Sequence, residues 1–276
     1  KFFGGEPFTT EEIVEGMRKG VKDGLITPVF CGSAVNMQAL DMLLFNMHKL
    51  LPSPEHEAST LAEDANGEPV ELHCTEDEPT AAYVFKTVAD PFVGKLSYLR
   101  VISGKVTAGE PLTNARTGEV EKITKPLTVL GKKQMENDGI GAGDIGAVAK
   151  LVSAKTGDTL CEPKTYVKFA PLAFAPACYE RAISPKTKQE IEKLGTGLNK
   201  LNEEDPTFSV TNNAETHQTV ISGAGDIQID VLCAKLKSRF GVDSELSTPR
   251  VAYREKIRST VRKQGRYKKQ TGGSGQ

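Results

Sequence analysis

Two apolar stripes in the C-terminal half constrain the fold most. Ile191, Leu194, Leu198 and Leu201 step by three, four and three residues; Ile229, Leu232, Leu236 and Phe240 step by three, four and four. Each set puts its apolar side chains on one face of an α-helix. Four short runs of strand character surround them: Ala177 to Ser184, Phe208 with Val210, Thr219 to Ser222, and Val242 to Leu246. Asn212-Asn213 opens the turn between the middle two, and Gly241 ends the second helix. Strand, helix, strand, strand, helix, strand over 174–246 predicts a ferredoxin-like α+β domain of the split βαβ type.

Residues 80–165 have a different rhythm. Ala82 to Val88 reads as a strand, and Lys95 to Ile102 alternates apolar and polar side chains. Gly104, Gly109, Gly118, Gly131 and Gly143 recur every 5–13 residues as turn signals. Short, regularly punctuated strands predict a small antiparallel barrel or sandwich.

Residues 1–54 read helix, strand, helix. Thr9-Thr10-Glu11-Glu12 is a capping box whose helix should end near Asp23-Gly24. The apolar run Leu25 to Cys31 predicts a buried strand. Leu40, Leu43, Leu44, Met47, Leu50 and Leu51 form one helix face, stopped by Pro52-Ser53-Pro54. A strand followed by a helix that packs back is the last unit of an α/β domain. Residues 55–79 read as an acidic linker or surface excursion. Residues 249–276 begin a further element, with a strand-like run from Val251 to Ile257 and then a basic, Gly-rich stretch.

Composition narrows the function classes. Hydrophobic residues make up 38% of the 276, and no apolar run approaches the roughly 20 residues of a membrane span. Lys1 to Gly5 shows no signal peptide, and both ends read as interior to a longer chain. The five cysteines (Cys31, Cys74, Cys161, Cys178, Cys233) form no C-x-x-C pair, which suits a reducing cytoplasmic setting. His48, His56, His73 and His217 lack metal-ligand spacing, so no metal site is expected. Charge is uneven. Nine acidic residues and no Lys or Arg lie between Leu51 and Phe85, whereas nine basic residues accompany Glu255 alone from Arg250 onward. That asymmetry fits either an anionic partner for the C-terminal end or a solvated charged surface.

Several nucleotide motifs appear only in imitation. Gly141-Ala142-Gly143-Asp144-Ile145-Gly146 has the spacing of a dinucleotide-binding loop, but Ala147-Val148-Ala149 after it is strand-like rather than the start of a helix. Ala89 to Lys95 lacks the first glycine and the final hydroxyl of a P-loop. Asn199-Lys200-Leu201-Asn202 lies on an amphipathic helix and lacks the carboxylate that reads guanine. Ser222 and Asp226 around Gly223-Ala224-Gly225 suit a helix entry, so no catalytic residue is assigned.

Longer stretches carry a resemblance. Ile221-Ser222-Gly223-Ala224-Gly225-Asp226-Ile227, Arg181-Ala182-Ile183 before Pro185-Lys186-Thr187, and Leu201 to Phe208 are similar to the third domain of elongation factor G. Thr156-Gly157-Asp158-Thr159-Leu160-Cys161 and Ala142-Gly143-Asp144-Ile145 resemble its second domain, a translation-factor β-barrel. Cys31-Gly32-Ser33-Ala34 with Leu51-Pro52-Ser53-Pro54 resembles the end of its GTPase domain, and Val251 to Glu255 with Lys268 to Gln276 the start of its fourth. The matches run in the same order along nearly the whole chain. At Leu130-Gly131-Lys132-Lys133-Gln134 the chain departs from the family's usual Met-His-Ala-Asn-like stretch, a departure that fits a divergent paralogue.

The resemblance implies a multidomain chain: an α/β GTPase-domain remnant (1–54), an acidic linker (55–79), a β-barrel (80–165), a ferredoxin-like domain (174–246) and the start of a fourth domain (249–276). It implies a ribosome-dependent GTPase that drives tRNA–mRNA translocation, with GTP and Mg²⁺ as cofactors of the parent. The P-loop, switch segments and N-K-x-D would lie upstream of Lys1, so this portion itself is expected to be inactive and to bind neither cofactor. Ser33 and Ala34 would lie beside the guanine base, a backbone N–H facing its O6. Arg262, Lys263, Arg266, Lys268 and Lys269 would contact rRNA phosphates. The implied partners are the ribosome and the tRNA–mRNA complex. Two other readings stay open: a tetracycline-resistance ribosomal protection protein and a non-catalytic rRNA-binding protein.

Overall fold

The computed structural model describes residues 1–56, 59–90, 94–131 and 133–265. The chain divides into two compact units, Lys1–Pro176 with Gly195–Phe208, and Ala177–Leu194 with Ser209–Gln276.

The first unit opens with α1 (Thr10–Lys22) and α2 (Leu40–Leu50). The capping box forms as expected: Thr9 N–H donates to Glu12 Oε2 at 2.9 Å, and Glu12 N–H to Thr9 Oγ1 at 3.3 Å. The run from Leu25 to Cys31 corrects the sequence expectation. It forms no strand, and Leu25 and Val29 are 81% and 84% exposed. A strand exists only through a partner ladder, and the described residues offer this segment none.

The hairpin β1 (Thr60–Glu63) and β2 (Pro69–Leu72) corrects the reading of 55–79 as a linker. Alternation explains it. Ala62 and Leu72 turn inward and are buried with Ile102 and Phe169, while Glu63 and Glu71 face solvent. Glu63 and Lys168 exchange both backbone hydrogen bonds at 2.8 Å.

The barrel strands follow: β3 (Ala81–Asp90), β4 (Gly94–Ser103), β5 (Lys105–Thr107), β6 (Pro111–Asn114), β7 (Val120–Lys122), β8 (Leu127–Leu130), β9 (Lys133–Glu136), β10 (Gly139–Gly141), β11 (Ile145–Ala149) and β12 (Thr159–Cys161). Eight of them form one curled antiparallel sheet in the order β7-β6-β12-β3-β4-β11-β8-β9, and β5 pairs with β10. Val84, Leu99, Val101, Leu112, Val148 and Leu160 are fully buried within it. Each contributes about 1.5–3 kcal/mol by leaving water, against about 1 kcal/mol net for a ladder hydrogen bond. The inward set therefore selects the register, since a one-residue slip would turn it outward. All five turn glycines named above have positive φ, from +60° at Gly131 to +85° at Gly143. Gly141 to Gly146 runs from the end of β10 through a tight turn into β11 and is not a phosphate loop.

The second unit carries a four-stranded antiparallel sheet: β13 (Tyr179–Pro185), β14 (Ser209–Asn213), β15 (Gln218–Gly223) and β16 (Ser244–Ser247), in the order β14-β15-β13-β16. β13 and β14 both run antiparallel to β15. They are thus parallel to each other with β15 inserted, the split βαβ arrangement. In chain order the helices between these strands are α3 (Ile191–Glu204), which from Gly195 onward falls in the first unit, and α4 (Asp226–Phe240), which Gly241 closes at φ +67°. Leu194, Leu198, Leu201, Ile229, Leu232 and Leu236 are buried, whereas Ile191 at the start of the first stripe is 60% exposed and Phe240 at the end of the second is half-buried. The run from Val251 to Ile257, expected as a strand, is irregular and exposed. Among the described residues no helix is long and apolar enough to cross a membrane.

Candidate functional site

The Ser33–Ala39 loop joins the exposed segment after α1 to α2. Ser33 and Gln38 exchange backbone hydrogen bonds at 3.1 and 3.0 Å, and Ser33 Oγ accepts from Asn36 N–H at 3.2 Å. Met37 and Ala39 adopt left-handed backbone at φ 55° and 61°, a strained conformation for residues with a Cβ. The loop is thus closed on itself. Ser33 N–H is engaged within it, whereas exposed Ala34 makes no hydrogen bond among the described residues. Of the two sequence candidates, Ala34 presents a free N–H and Ser33 shapes the turn.

The basic candidates divide. Arg262 and Lys263 are exposed on irregular chain. Arg266, Lys268 and Lys269 lie outside the described residues. Upstream, Arg250 N–H donates to Gln218 Oε1 at 2.8 Å and Arg254 pairs with Glu215, so the segment leaving β16 is tied to the start of β15 and the turn before it.

The family-like Thr156 to Cys161 stretch has a structural role. Asp158, 5% exposed, receives Arg116 Nε at 2.6 Å, Arg116 Nη2 and Lys155 N–H at 2.8 Å each, and Asn114 Nδ2 at 2.9 Å. On the same loop, the Glu121 carboxylate from β7 is 4% exposed and accepts the N–H groups of Val152, Ser153 and Ala154 and the Ser153 hydroxyl. Burial pushes both carboxyls up, but the hydrogen bonds outweigh it: Arg116, Asn114 and Lys155 hold Asp158 below the usual carboxylate range, and the 152–154 amides and Ser153 hydroxyl do the same for Glu121. The motif therefore marks a loop clamp, not a reactive group.

A folded-state pKa held below the unfolded value adds stability that is present above the unfolded value and lost as pH falls through the folded one. The ordinary values are 3.8 for Asp158 and 4.5 for Glu121. Urea midpoints are therefore expected to drop steeply on acidification below about pH 4. In Asp158→Asn the drop should be shallower. Equal slopes in the two proteins would remove Asp158 as a source of the acid sensitivity.

A curled barrel sheet followed by a β-α-β-β-α-β unit, with the Thr156–Cys161 and Ile221–Ile227 stretches at these places, defines a chain of the translation-factor class. Residues 79–163 match the family model described as Elongation factor G domain 2, and residues 174–248 the one described as Elongation Factor G, domain III. Over 276 residues the chain is 39% identical to Elongation factor G from each of two strains of Ureaplasma parvum serovar 3, covering 100% of this chain and 40% of either relative. A crystal structure of a Thermus thermophilus protein aligns with a TM-score of 0.72 at 27% identity, over 91% of this chain and 35% of that one. The chain belongs to the elongation factor G family, of which it carries domains II and III. It spans about 40% of the length of the curated relatives it matches.

Proposed function

We propose that this chain works as part of a ribosome-dependent translational GTPase that promotes tRNA–mRNA translocation during protein elongation in the cytoplasm. One observation carries the reading: similarity to elongation factor G runs through all 276 residues, with both domain models matched in order. On this reading the barrel and the α+β unit contact the ribosome and relay the nucleotide state. Arg262 and Lys263, with Arg266, Lys268 and Lys269, meet rRNA phosphates, and that contact weakens steeply with salt.

GTP and Mg²⁺ are the cofactors proposed for the parent. Ala34, whose N–H makes no hydrogen bond among the described residues, is the donor proposed to face the guanine base. The described residues form no cluster of three metal-ligating side chains. The chain's own contribution is orientation: the Ser33–Gln38 pairing and the Ser33 hydroxyl fix the direction of the Ala34 N–H.

The test uses the full-length parent on programmed ribosomes with GTP, with and without tetracycline. Movement of the message by one codon is expected. Drug release without movement would transfer the protein to the ribosomal protection class and overturn the translocation reading.

A further inference from the structure

The C-terminal ends of α1 and α2 converge on a cleft of about 560 Å³ that the proposed function does not use. Arg18, Lys19, Lys22 and Lys49 line it, against Glu15 and Asp23. The helices themselves offset some of this positive charge, since each C-terminus is equivalent to about half a negative charge. Arg18 Nε donates to the Lys49 carbonyl at 3.0 Å, and Lys22 Nζ to the His56 carbonyl at 2.7 Å. After both carboxylates and both helix ends are counted, the four cations still leave about one net positive charge.

That excess sits on particular groups. The Lys19 ammonium makes no hydrogen bond or ion pair among the described residues. The Lys49 ammonium faces the Phe45 ring at 5.8 Å and has no carboxylate partner among them. Arg18 and Lys22 are held in place by backbone carbonyls. The cleft thus combines two anchored cations with two unneutralised ones. Anchored guanidinium and ammonium donors suit tetrahedral oxyanions, because charge-assisted hydrogen bonds then form with little ordering left to do. The volume lies in the range of about 300–1,000 Å³ typical of small-ligand sites. We propose that the cleft between α1 and α2 binds phosphate groups, carried either by a free polyphosphate anion or by an RNA backbone.

The test uses the full 276-residue chain and two probes at about 50 mM salt: tripolyphosphate by calorimetry, and a labelled single-stranded RNA by fluorescence anisotropy. The double variant Lys19→Gln/Lys49→Gln removes the unneutralised cations. Lys122→Gln/Lys164→Gln makes the same change in net charge at two exposed positions outside the cleft. The cleft variant should bind its probe about tenfold more weakly, a loss of about 1.4 kcal/mol, and the control less than about twofold. Loss of tripolyphosphate binding identifies a free anion as the ligand, and loss of RNA binding identifies a backbone. Equal weakening by both variants, or no saturable binding of either probe, would overturn the proposal.

Discussion

Replacing Glu121 by alanine should destabilise the first unit by about 3–5 kcal/mol. The carboxylate is 4% exposed and serves three consecutive backbone N–H groups and a hydroxyl. Alanine leaves those donors without an acceptor. Ala154 is fully buried, so water cannot replace the lost oxygen there, whereas Val152 is 85% exposed and its N–H can be rehydrated. An unsatisfied buried donor costs about 1–3 kcal/mol, and the loss of the loop's hydrogen-bonded anion adds to this. Domains are typically stable by only about 5–15 kcal/mol, so the variant should lose a large share of its stability. Glu121→Gln keeps one carbonyl acceptor but turns an NH₂ toward an amide donor, and should fall between. Chemical denaturation of the three proteins decides the point. A change under about 1 kcal/mol in the alanine variant would mean that the loop satisfies its amides some other way.

Gly104→Ala should cost about 3 kcal/mol, for two separable reasons. The residue has φ +69°, where a Cβ is disfavoured by about 1–2 kcal/mol. Its Cβ would also lie 2.6 Å from Thr80 Cα and 2.7 Å from Thr80 N, both backbone atoms. Thr80 has little room to yield, because its hydroxyl donates to the Lys105 carbonyl at 3.1 Å and accepts the Lys105 N–H at 3.4 Å. Gly109 provides the comparison: its φ is +83°, yet a methyl added there would meet nothing within 4 Å. Gly109→Ala should therefore show the backbone strain alone, about 1–2 kcal/mol. Equal urea midpoints for the two variants would remove the close approach to Thr80 from the account.

The candidate site is only partly legible in the sequence. Ser33 and Ala34 stand out by their likeness to a family loop, but which of them has a free N–H depends on the pairing of Ser33 with Gln38. The Thr156–Cys161 stretch stands out as a family signature. Its physical content, the clamp of Asp158 by Arg116 and Asn114, joins residues 42 and 44 positions apart and has no local pattern. The cleft between α1 and α2 leaves a weak trace, cations in the last turns of both helices. Last-turn cations alone are ordinary helix-end compensation.

The sequence by itself determined the order and kind of the elements in 174–246, and in 80–165 the β character, the two long strands and the turn glycines, while the short strands β5 to β10 and β12 carried no separate signal. Three- and four-residue apolar steps, alternation along strands and turn glycines are local signals, and each is strong enough to stand without a neighbour. The β-α-β-β-α-β order even implies the sheet order, because few ways of pairing four such strands exist. The tertiary structure alone decided the rest. Leu25 to Cys31 has the composition of a strand but no ladder to join among the described residues. Thr60 to Leu72 has an unpromising acidic composition, yet two inward side chains find a surface to cover. Glu121 carries no local signal in the sequence, and its role arises only where the fold brings three amides to it. In each case the deciding interaction lies between residues distant in the chain, and its free energy depends on what burial places beside the group.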